Sequence, residues 1–432
     1  MEKQTSISKL EGEGGPHPTT SADVTKVPLA ALELTPSIRI PPVWMLGIAS
    51  GLSTFGLTIT IPLLVEIANQ FDADYASVQF VISVYMLGLA LAQPMCGILC
   101  DLLGRRPVML AGFALFVAAS IGAALTDSLT GLIALRFLQA VGASVGTVVS
   151  RAVVRDTRDA MKTTVAIGHI AAVMGIAPIV APVFGGWLGA AMGYRSVFIA
   201  SAAIGLVVLV LLYRTLPETL NRAQTRLGLP ILLKNYSVLL RSRAFLGFSM
   251  IYGFAQGSFF SFMTVGAAIF ETELNMTARS FGTAWSLMAL SYVAGAVISA
   301  RLNQRIGMIR VLEIAVIVTF VTGCLTPVWA VISGPTLASV LVPVTILMIS
   351  ASGIIPGGIA GVVNAHPEMA GTASGLSNAL ALLFGGAFTV FAGILYQENY
   401  TNIAVLIAVS ATLTALSWAM VRSIMIKKAA TG

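Results

Sequence analysis

The chain has 432 residues, of which 57% are hydrophobic and only 10% charged, with a formal net charge of +7. A soluble domain carries about 25% charged residues, so this composition cannot cover a globular surface with polar groups. The length alone would suit two or three soluble domains; the composition excludes them and places the chain in a bilayer.

Residues 1–42 are rich in Gly, Pro, Ser, Thr and charge, which predicts a disordered tail that is too long and polar for a signal peptide. Charge-free runs then recur at 40–65, 75–100, 107–126, 163–194, 196–213, 244–270, 280–300, 314–365, 369–397 and 399–421. The stretch 128–150 is also apolar except for Arg136. About 20 apolar residues make one helical crossing. The run 314–365 is too long for one and is split at SGPT, residues 333–336. The pattern predicts an all-α integral membrane bundle of about twelve helices, without the short alternation of a barrel. The polar stretch 214–243 divides the spans six and six. The expected units are a six-helix half at 43–215, a linker at 216–243, a second half at 244–425 and a short tail at 426–432. Within the linker, GLPILLKNYSVLLRSR mixes leucines with bases and is expected along the membrane surface.

The positive charge is distributed by side. With the N-terminus inside, the inner loops hold Arg105 and Arg106, the group from Arg151 to Lys162, the bases of 214–243, Arg301, Arg305, Arg310, Arg422, Lys427 and Lys428. The outer loops hold Arg195 and Arg279 among acids such as Asp72, Asp74, Asp127, Glu271, Glu273 and Glu398. This asymmetry predicts both termini in the cytoplasm and a multi-pass protein of the cell inner (plasma) membrane. It explains the net charge without nucleic acid. Cys96, Cys100 and Cys324 lie inside apolar runs with no metal spacing and read as small core residues. His17, His169 and His366 are scattered, so no metal site and no cofactor is expected. There is no phosphate-binding loop and no nucleophile–base arrangement, so the chain does not read as an enzyme.

The stretch GILCDLLGRRPVML, 97–110, concentrates charge at the inner turn between spans two and three. Orientation explains Arg105 and Arg106 but not Asp101, which reads as a partner group. Gly97 is expected to let another helix approach, and Gly104 to make the turn. A shift of 203 residues brings Ala300, Gln304, Gly307 and Arg310 near Gly97, Asp101, Gly104 and Arg106, a faint repeat between the halves.

The pattern at Gly97, Asp101, Gly104, Arg105 and Arg106 resembles the loop signature of the major facilitator superfamily. RFLQAVGAS (136–144) is similar to its fourth-helix pattern, with Ala140 where Gly is usual. GIAPIVAPVFGG (175–186) resembles the fifth-helix signature of its twelve-helix drug antiporters, with Ala181 for one Gly. GYRSVF (193–198) and LPET (216–219) resemble its span-six boundaries. SRAVVRD (150–156) and AGTASGLSNAL (370–380) are most similar to the bicyclomycin/chloramphenicol-resistance branch of drug:proton antiporters. The resemblance covers about 43–425. It implies that Arg105 pairs with Asp156; the partial positive charge at the N-terminus of span eleven, near Met369, makes a partner for Asp101, and together these contacts are expected to form a conformational gate. The resemblance also implies a hinge or tight seam between halves at Pro178, Pro182, Gly185 and Gly186.

Arg136 begins about seven residues from the outer end of its span, roughly 10 Å into the bilayer. It either faces the bundle interior or snorkels to the outer surface. Mid-span polar groups Gln79, Tyr85, Gln93, Gln139, Gln256, Trp285 and Asn378 are cavity candidates, and SFFSFM (258–263) either lines an apolar pocket or simply packs. His169 reads as a packed core residue. The resembling branch carries an acid in span one shortly before a proline. Here Thr58 holds that position, four residues before Pro62, and the nearest acid is Glu66. A proton carrier must titrate. So Glu66 has taken over, in partnership with Arg136, or His169 has, or transport is not proton-coupled. The expected function is proton-coupled efflux of small amphipathic drug-like compounds by alternating access, in a protein working as a monomer. Its expected partners are a small-molecule substrate, protons and the lipid bilayer, with no nucleic acid. A same-fold carrier of a metabolite and a non-transport sensor are the other readings.

Overall fold

The computed structural model describes residues 41–158, 160–220 and 229–431. The tail expected at 1–42, up to residue 40, and residues 221–228 of the expected linker lie outside the described residues. No strand occurs among the described residues, and twelve helical segments are long and apolar enough to cross a membrane. The first is α1 (Val43–Thr58), a 3-10 turn (Ile61–Leu63) and α2 (Leu64–Gln70) in line, and the second is α3 (Tyr75–Val78) with α4 (Phe80–Leu103). The first half continues through α5 (Arg105–Leu125), α6 (Leu129–Thr157), α7 (Ala160–Met192) and α8 (Arg195–Thr215). A short α9 (Leu229–Arg241) leads into α10 (Arg243–Ala268), which ends in a π-helical turn at Ile269–Glu273. The second half continues with α11 (Ala278–Ile306), α12 (Met308–Ser333), α13 (Leu337–Ala365), α14 (Ala370–Leu395) and α15 (Tyr400–Thr431).

Polar caps and glycines set the boundaries. Ser128, Ser242 and Thr277 each accept a backbone N–H of the first turn that follows, satisfying donors the helix itself leaves open. The long run 314–365 divides where the sequence splits it. Gly334 takes φ +68°, and Thr336 and Ser339 form a reciprocal capping box. Gly104 and Gly307 both turn with positive φ, +109° and +82°, after the second span of their halves. That conformation favours glycine, and it gives the faint repeat a structural meaning.

Three expectations are corrected. The apolar runs understate helix length: α6 continues to Thr157 and α11 to Ile306, so Arg151, Arg155, Asp156, Arg301 and Arg305 are helical rather than in loops. Hydropathy reports the hydrocarbon boundary, whereas arginine is a good helix former and the hydrogen-bond ladder runs on past it. For the same reason 426–431, read as a tail, extends α15. The first span is not one continuous helix. Pro62 has no N–H to bond back to the Thr58 carbonyl, and the chain loosens over 59–63.

Helices pack closely where side chains are absent. A Cβ at Gly142 would stand 2.5 Å from the Phe116 backbone nitrogen, and one at Gly146 2.1 Å from the Ala49 carbonyl oxygen. In lipid such close backbone approach takes over the role of hydrophobic burial in joining helices. The termini of the bundle and α9 share one end, called the basic end here; the other is the opposite end. One buried core runs through the first half and across into the second at the opposite end, including Phe262, Phe270, Phe281 and Trp285. A separate core around Phe245, Phe248, Leu312 and Trp418 serves the second half at the basic end.

Candidate functional site

The two halves meet along α4 against α14 and α7 against α11. On α14, residues 371, 375, 378, 382, 386 and 393 follow one helical stripe, and facing it are Gln79, just before α4, and residues 83, 86, 93 and 97 of α4. Near the opposite end the stripes touch. A Cβ at Gly393 would lie 2.4 Å from Gln79 Cγ, and one at Gly386 3.7 Å from Met86 Cβ. Midway, Asn378 Nδ2 donates to Gln93 Oε1 at 2.8 Å and Tyr252 Oη donates to Asn378 Oδ1 at 3.0 Å. Beyond that bridge, a Cβ at Gly97, Gly371 or Gly375 would have no neighbour within 4 Å. The helices part. The close helix approach expected at Gly97 is therefore not made in this conformation, because its end of the seam is open.

The α7–α11 contact explains its prolines. Pro182 has no N–H, so the carbonyl of Pro178, four residues earlier, is left without its helical donor. Trp285 Nε1 donates to that carbonyl at 3.0 Å, and Ser286 Oγ donates to the Ile179 carbonyl. A Cβ at Gly282 would lie 2.8 Å from the Pro182 carbonyl oxygen. Gly185 packs inward instead, on Ile59 at the loosened part of the first span. Helix α7 runs unbroken through both prolines, so this stretch forms a seam in the structure.

Between these two lines of contact lies a cavity of about 320 Å³. Thr54, Leu57 and Thr58 of α1 and Met174, Gly175 and Pro178 of α7 line it from one half. From the other come Tyr252, Gln256, Phe259, Phe260 and Met263 of α10, Trp285 and Tyr292 of α11, and part of α13. Phe259 packs on Trp285 with ring centroids 5.4 Å apart, and Phe262 stacks behind it. Among the described residues, no carboxylate lines the cavity. It is an aromatic, hydrogen-bonding, uncharged chamber, closed toward the opposite end. A mostly apolar concavity with a few polar groups is the usual form of a small-molecule site.

Arg136 lies away from this cavity, fully buried inside the first half. It faces the interior and does not snorkel. Its Nη1 donates to the Gly56 carbonyl at 2.8 Å and to Gln139 Oε1 at 2.7 Å, Nε to the Val81 carbonyl at 3.2 Å and Nη2 to Thr60 Oγ1 at 3.2 Å. Gln139 in turn donates to Ser120 Oγ, and the Tyr85 ring stacks under the guanidinium at 4.2 Å. The expected pairing with Glu66 is corrected. Glu66 Oε1 accepts the Tyr194 backbone N–H at 2.8 Å, tying α2 to the start of α8, and among the described residues neither group makes an ion pair. The physical reason is the break in the first span: the helix ends at Thr58, and the Gly56 carbonyl and the Thr60 hydroxyl beside the break occupy the guanidinium.

At the basic end, Arg105 Nη1 donates to Asp101 at 2.6 Å and Nε to Asp156 at 2.9 Å. Glu218 accepts the backbone N–H groups of Arg105 at 2.9 Å and Arg106 at 3.2 Å, which lies at the positive end of α5. Burial works to raise the Glu218 pKa, but its backbone donors, Leu220, Arg105 and Arg106, outweigh it and hold the carboxyl below the usual range. Asp101 thus finds its partner in its own half and does not reach the N-terminus of span eleven.

The structure gathers Gln256 and Trp285 in the cavity, Gln93 and Asn378 at the bridge between halves, and Gln139 with Arg136 elsewhere. Gln79 closes the opposite end by donating to the Thr264 carbonyl at 3.1 Å. Phe259, Phe260 and Met263 show that SFFSFM does line the pocket. His169, read as core, is exposed. Thr54, Tyr252 and Tyr292 were missed. Tyr252 sits one turn before Gln256, and this spacing was the available signal.

Residues 46–390 match the Major Facilitator Superfamily. The chain is 28% identical over 282 residues to a bicyclomycin resistance protein homolog of Haemophilus influenzae, covering 64% of this chain and 70% of that protein. It is 25% identical over 378 residues to multidrug resistance protein D of Escherichia coli, covering 87% of this chain and 94% of that one. Among solved structures, it superposes on a bacterial homolog of the human lysosomal transporter Spinster in an inward-facing, occupied conformation. The TM-score is 0.69 at 14% identity, over 88% of this chain and 95% of that one.

Proposed function

Because the chain belongs to the major facilitator superfamily and is a membrane transporter of that fold, we propose that it exports small amphipathic drug-like compounds in exchange for protons. The observation that carries this reading is the aromatic cavity between two halves that touch at one end and part at the other. Such a chamber is reached from one side at a time, and rocking the halves about it moves the solute across. The drug-resistance relatives support export of this substrate class. The asymmetry of basic loops supports placing the open, basic end in the cytoplasm of the inner membrane, with both termini there. The protein acts as a monomer, since one chain encloses the whole cavity.

The proton is assigned to Glu66, the only acid of the first span. Arg136 is a positioning group in this scheme. It fixes the loosened turn that presents Thr58 to the cavity and Glu66 to Tyr194. The gate role of Gly97, Asp101, Gly104, Arg105, Arg106 and Asp156 is retained as a proposal for the opposite conformation, in which Asp101 approaches the N-terminus of α14.

Expression in a drug-hypersensitive strain should raise the tolerated concentration of amphipathic compounds, and a protonophore should erase the gain. An unchanged panel with the protein verified in the membrane overturns export. In proteoliposomes with an imposed pH gradient, Glu66→Gln should lose gradient-driven accumulation; full retention removes Glu66 as carrier.

A further inference from the structure

We propose that the cavity takes amphipathic organic anions, and that Arg151 holds their anionic group. This rests on the transport reading above and names its substrate class.

The position of Arg151 follows from its helix. On α6, Ser144 Oγ shares a hydrogen bond with Cys96 Sγ of α4 at 3.0 Å, and Thr147 Oγ1 with Ser53 Oγ of α1 at 3.2 Å. At about 100° per residue, Arg151 projects within about 40° of both. It therefore points between α1 and α4, into the space that separates the halves, one turn nearer the basic end than Thr147. Across that space stands Tyr252 of α10, a cavity residue within electrostatic reach of the guanidinium. Arg151 is exposed to solvent, as a side chain lining a wet vestibule must be.

Its lack of partners separates it from Arg105 and Arg136 of the same half. Arg105 has two carboxylates, and Arg136 has four hydrogen bonds. Arg151 has neither an ion pair nor a hydrogen bond among the described residues. Orientation in the membrane asks only for cations at the rim. It does not explain one aimed between the halves. Arg155, one turn further out, adds a second positive charge close enough to act on Arg151.

The cavity supplies the other half of the argument. Its polar lining groups, Thr54, Thr58, Tyr252, Gln256, Tyr292 and Trp285, are all neutral. A cation entering would meet Arg151 with no carboxylate to offset it. An anion would gain a charge-assisted pair, and a guanidinium matches a carboxylate, sulfonate or phosphate with two parallel donors. From Tyr252 to Phe259 along α10 is about 10 Å. A two-ring aromatic acid spans that interval, its head at Arg151 and its body against Phe259 and Trp285.

The test uses one molecular body in three charge forms: biphenyl-4-carboxylate, its methyl ester and 4-phenylbenzylammonium. Equilibrium dialysis against the full-length protein in nanodiscs, with empty nanodiscs as blank, should rank carboxylate above ester above ammonium. Arg151→Gln should weaken carboxylate binding about tenfold while ester binding, unchanged, reports an intact cavity. Arg151→Lys, which keeps the charge but not the fork, should fall between. Equal affinity for carboxylate and ester in the unaltered protein, or equal losses for both in Arg151→Gln, overturns the assignment. Counterflow in proteoliposomes separates this from the transport reading. Arg151-dependent binding of a carboxylate that is never carried sinks transport and leaves the anion site standing. Carriage of the ester with no preference for the carboxylate does the reverse.

Discussion

The two ends of the seam between the halves are built from the same helices and hold different kinds of contact. At the opposite end the contacts cross the seam and are neutral. Tyr75 Oη and Gln79 Nε2 both donate to the Thr264 carbonyl, at 2.7 and 3.1 Å, and Trp285 donates to Pro178. At the basic end the ion pairs among the described residues lie within their own halves: Arg105 with Asp101 and Asp156, and Arg422 with Glu313. The difference teaches how a transporter can open without losing stability. The open end leaves its ion pairs intact, because among the described residues none of them spans the gap. The closed end is held by a handful of neutral hydrogen bonds worth about 1 kcal/mol each, plus aromatic packing. That total is of the order that separates two interconverting states.

The largest expected effect comes from making the closed end permanent. A Cβ at Gly386 would lie 3.7 Å from Met86 Cβ, within the range for a disulfide of about 3.5–4.5 Å. In a background lacking Cys96, Cys100 and Cys324, the pair Met86→Cys with Gly386→Cys should abolish transport when oxidised and recover it with dithiothreitol. Full transport by the oxidised protein would mean this seam never opens. Next in size is Arg136→Gln, which strips donors from two buried carbonyls inside the first half and should cost on the order of 3 kcal/mol of stability. A thermal unfolding midpoint unmoved by that change would refute the stitching role. Smaller is Trp285→Phe, which keeps the aromatic contact but leaves the Pro178 carbonyl without a donor. It should shift the two-state balance several-fold toward opening of the opposite end. The readout is the maleimide reactivity of a single cysteine at Ser83, buried beside the seam, which should rise in the variant.

Most of the architecture was legible because hydrocarbon imposes it: twelve apolar runs must be twelve helices. The split at SGPT and the paired turns at Gly104 and Gly307 were legible for a local reason, since a left-handed turn selects glycine and a helix start selects a hydroxyl. The site was harder to read. Gln256 and Trp285 were found as polar groups in apolar spans. Tyr252 and Thr54 were not, because tyrosine and threonine are unremarkable in a membrane helix until a facing helix makes them neighbours. Arg151 was missed for a different reason. Hydropathy ended span four at residue 150, and an arginine just past a span reads as a loop charge. Only the continuation of α6 to Thr157, and the gap it borders, show where that residue points. The Glu66–Arg136 pairing failed on a backbone detail: the first helix breaks before Pro62, and the Gly56 carbonyl beside that break takes a donor the sequence leaves unassigned.

The smallest effect tests whether the open end is rigid in itself. Glu218 binds the first N–H groups of α5 as a carboxylate, an exposed helix-terminus interaction worth about 0.5 kcal/mol and screened by salt. Its backbone donors hold its folded pKa below the ordinary value, against the opposing effect of burial. A lowered folded pKa means the unfolded chain takes up the proton first as pH falls. The stabilisation is therefore fully present above the ordinary glutamate value of about 4.3. It fades as pH drops through the lower folded value. Glu218→Gln should accordingly melt slightly below the unaltered protein at neutral pH and low salt. The two should converge on acidification to about pH 3. If the gap between the two melting curves persists unchanged in acid, Glu218 acts by packing against Gly104 rather than through its charge. The basic end of the first half would then be held by shape alone, and its ion pairs would be free to exchange partners when the gap closes.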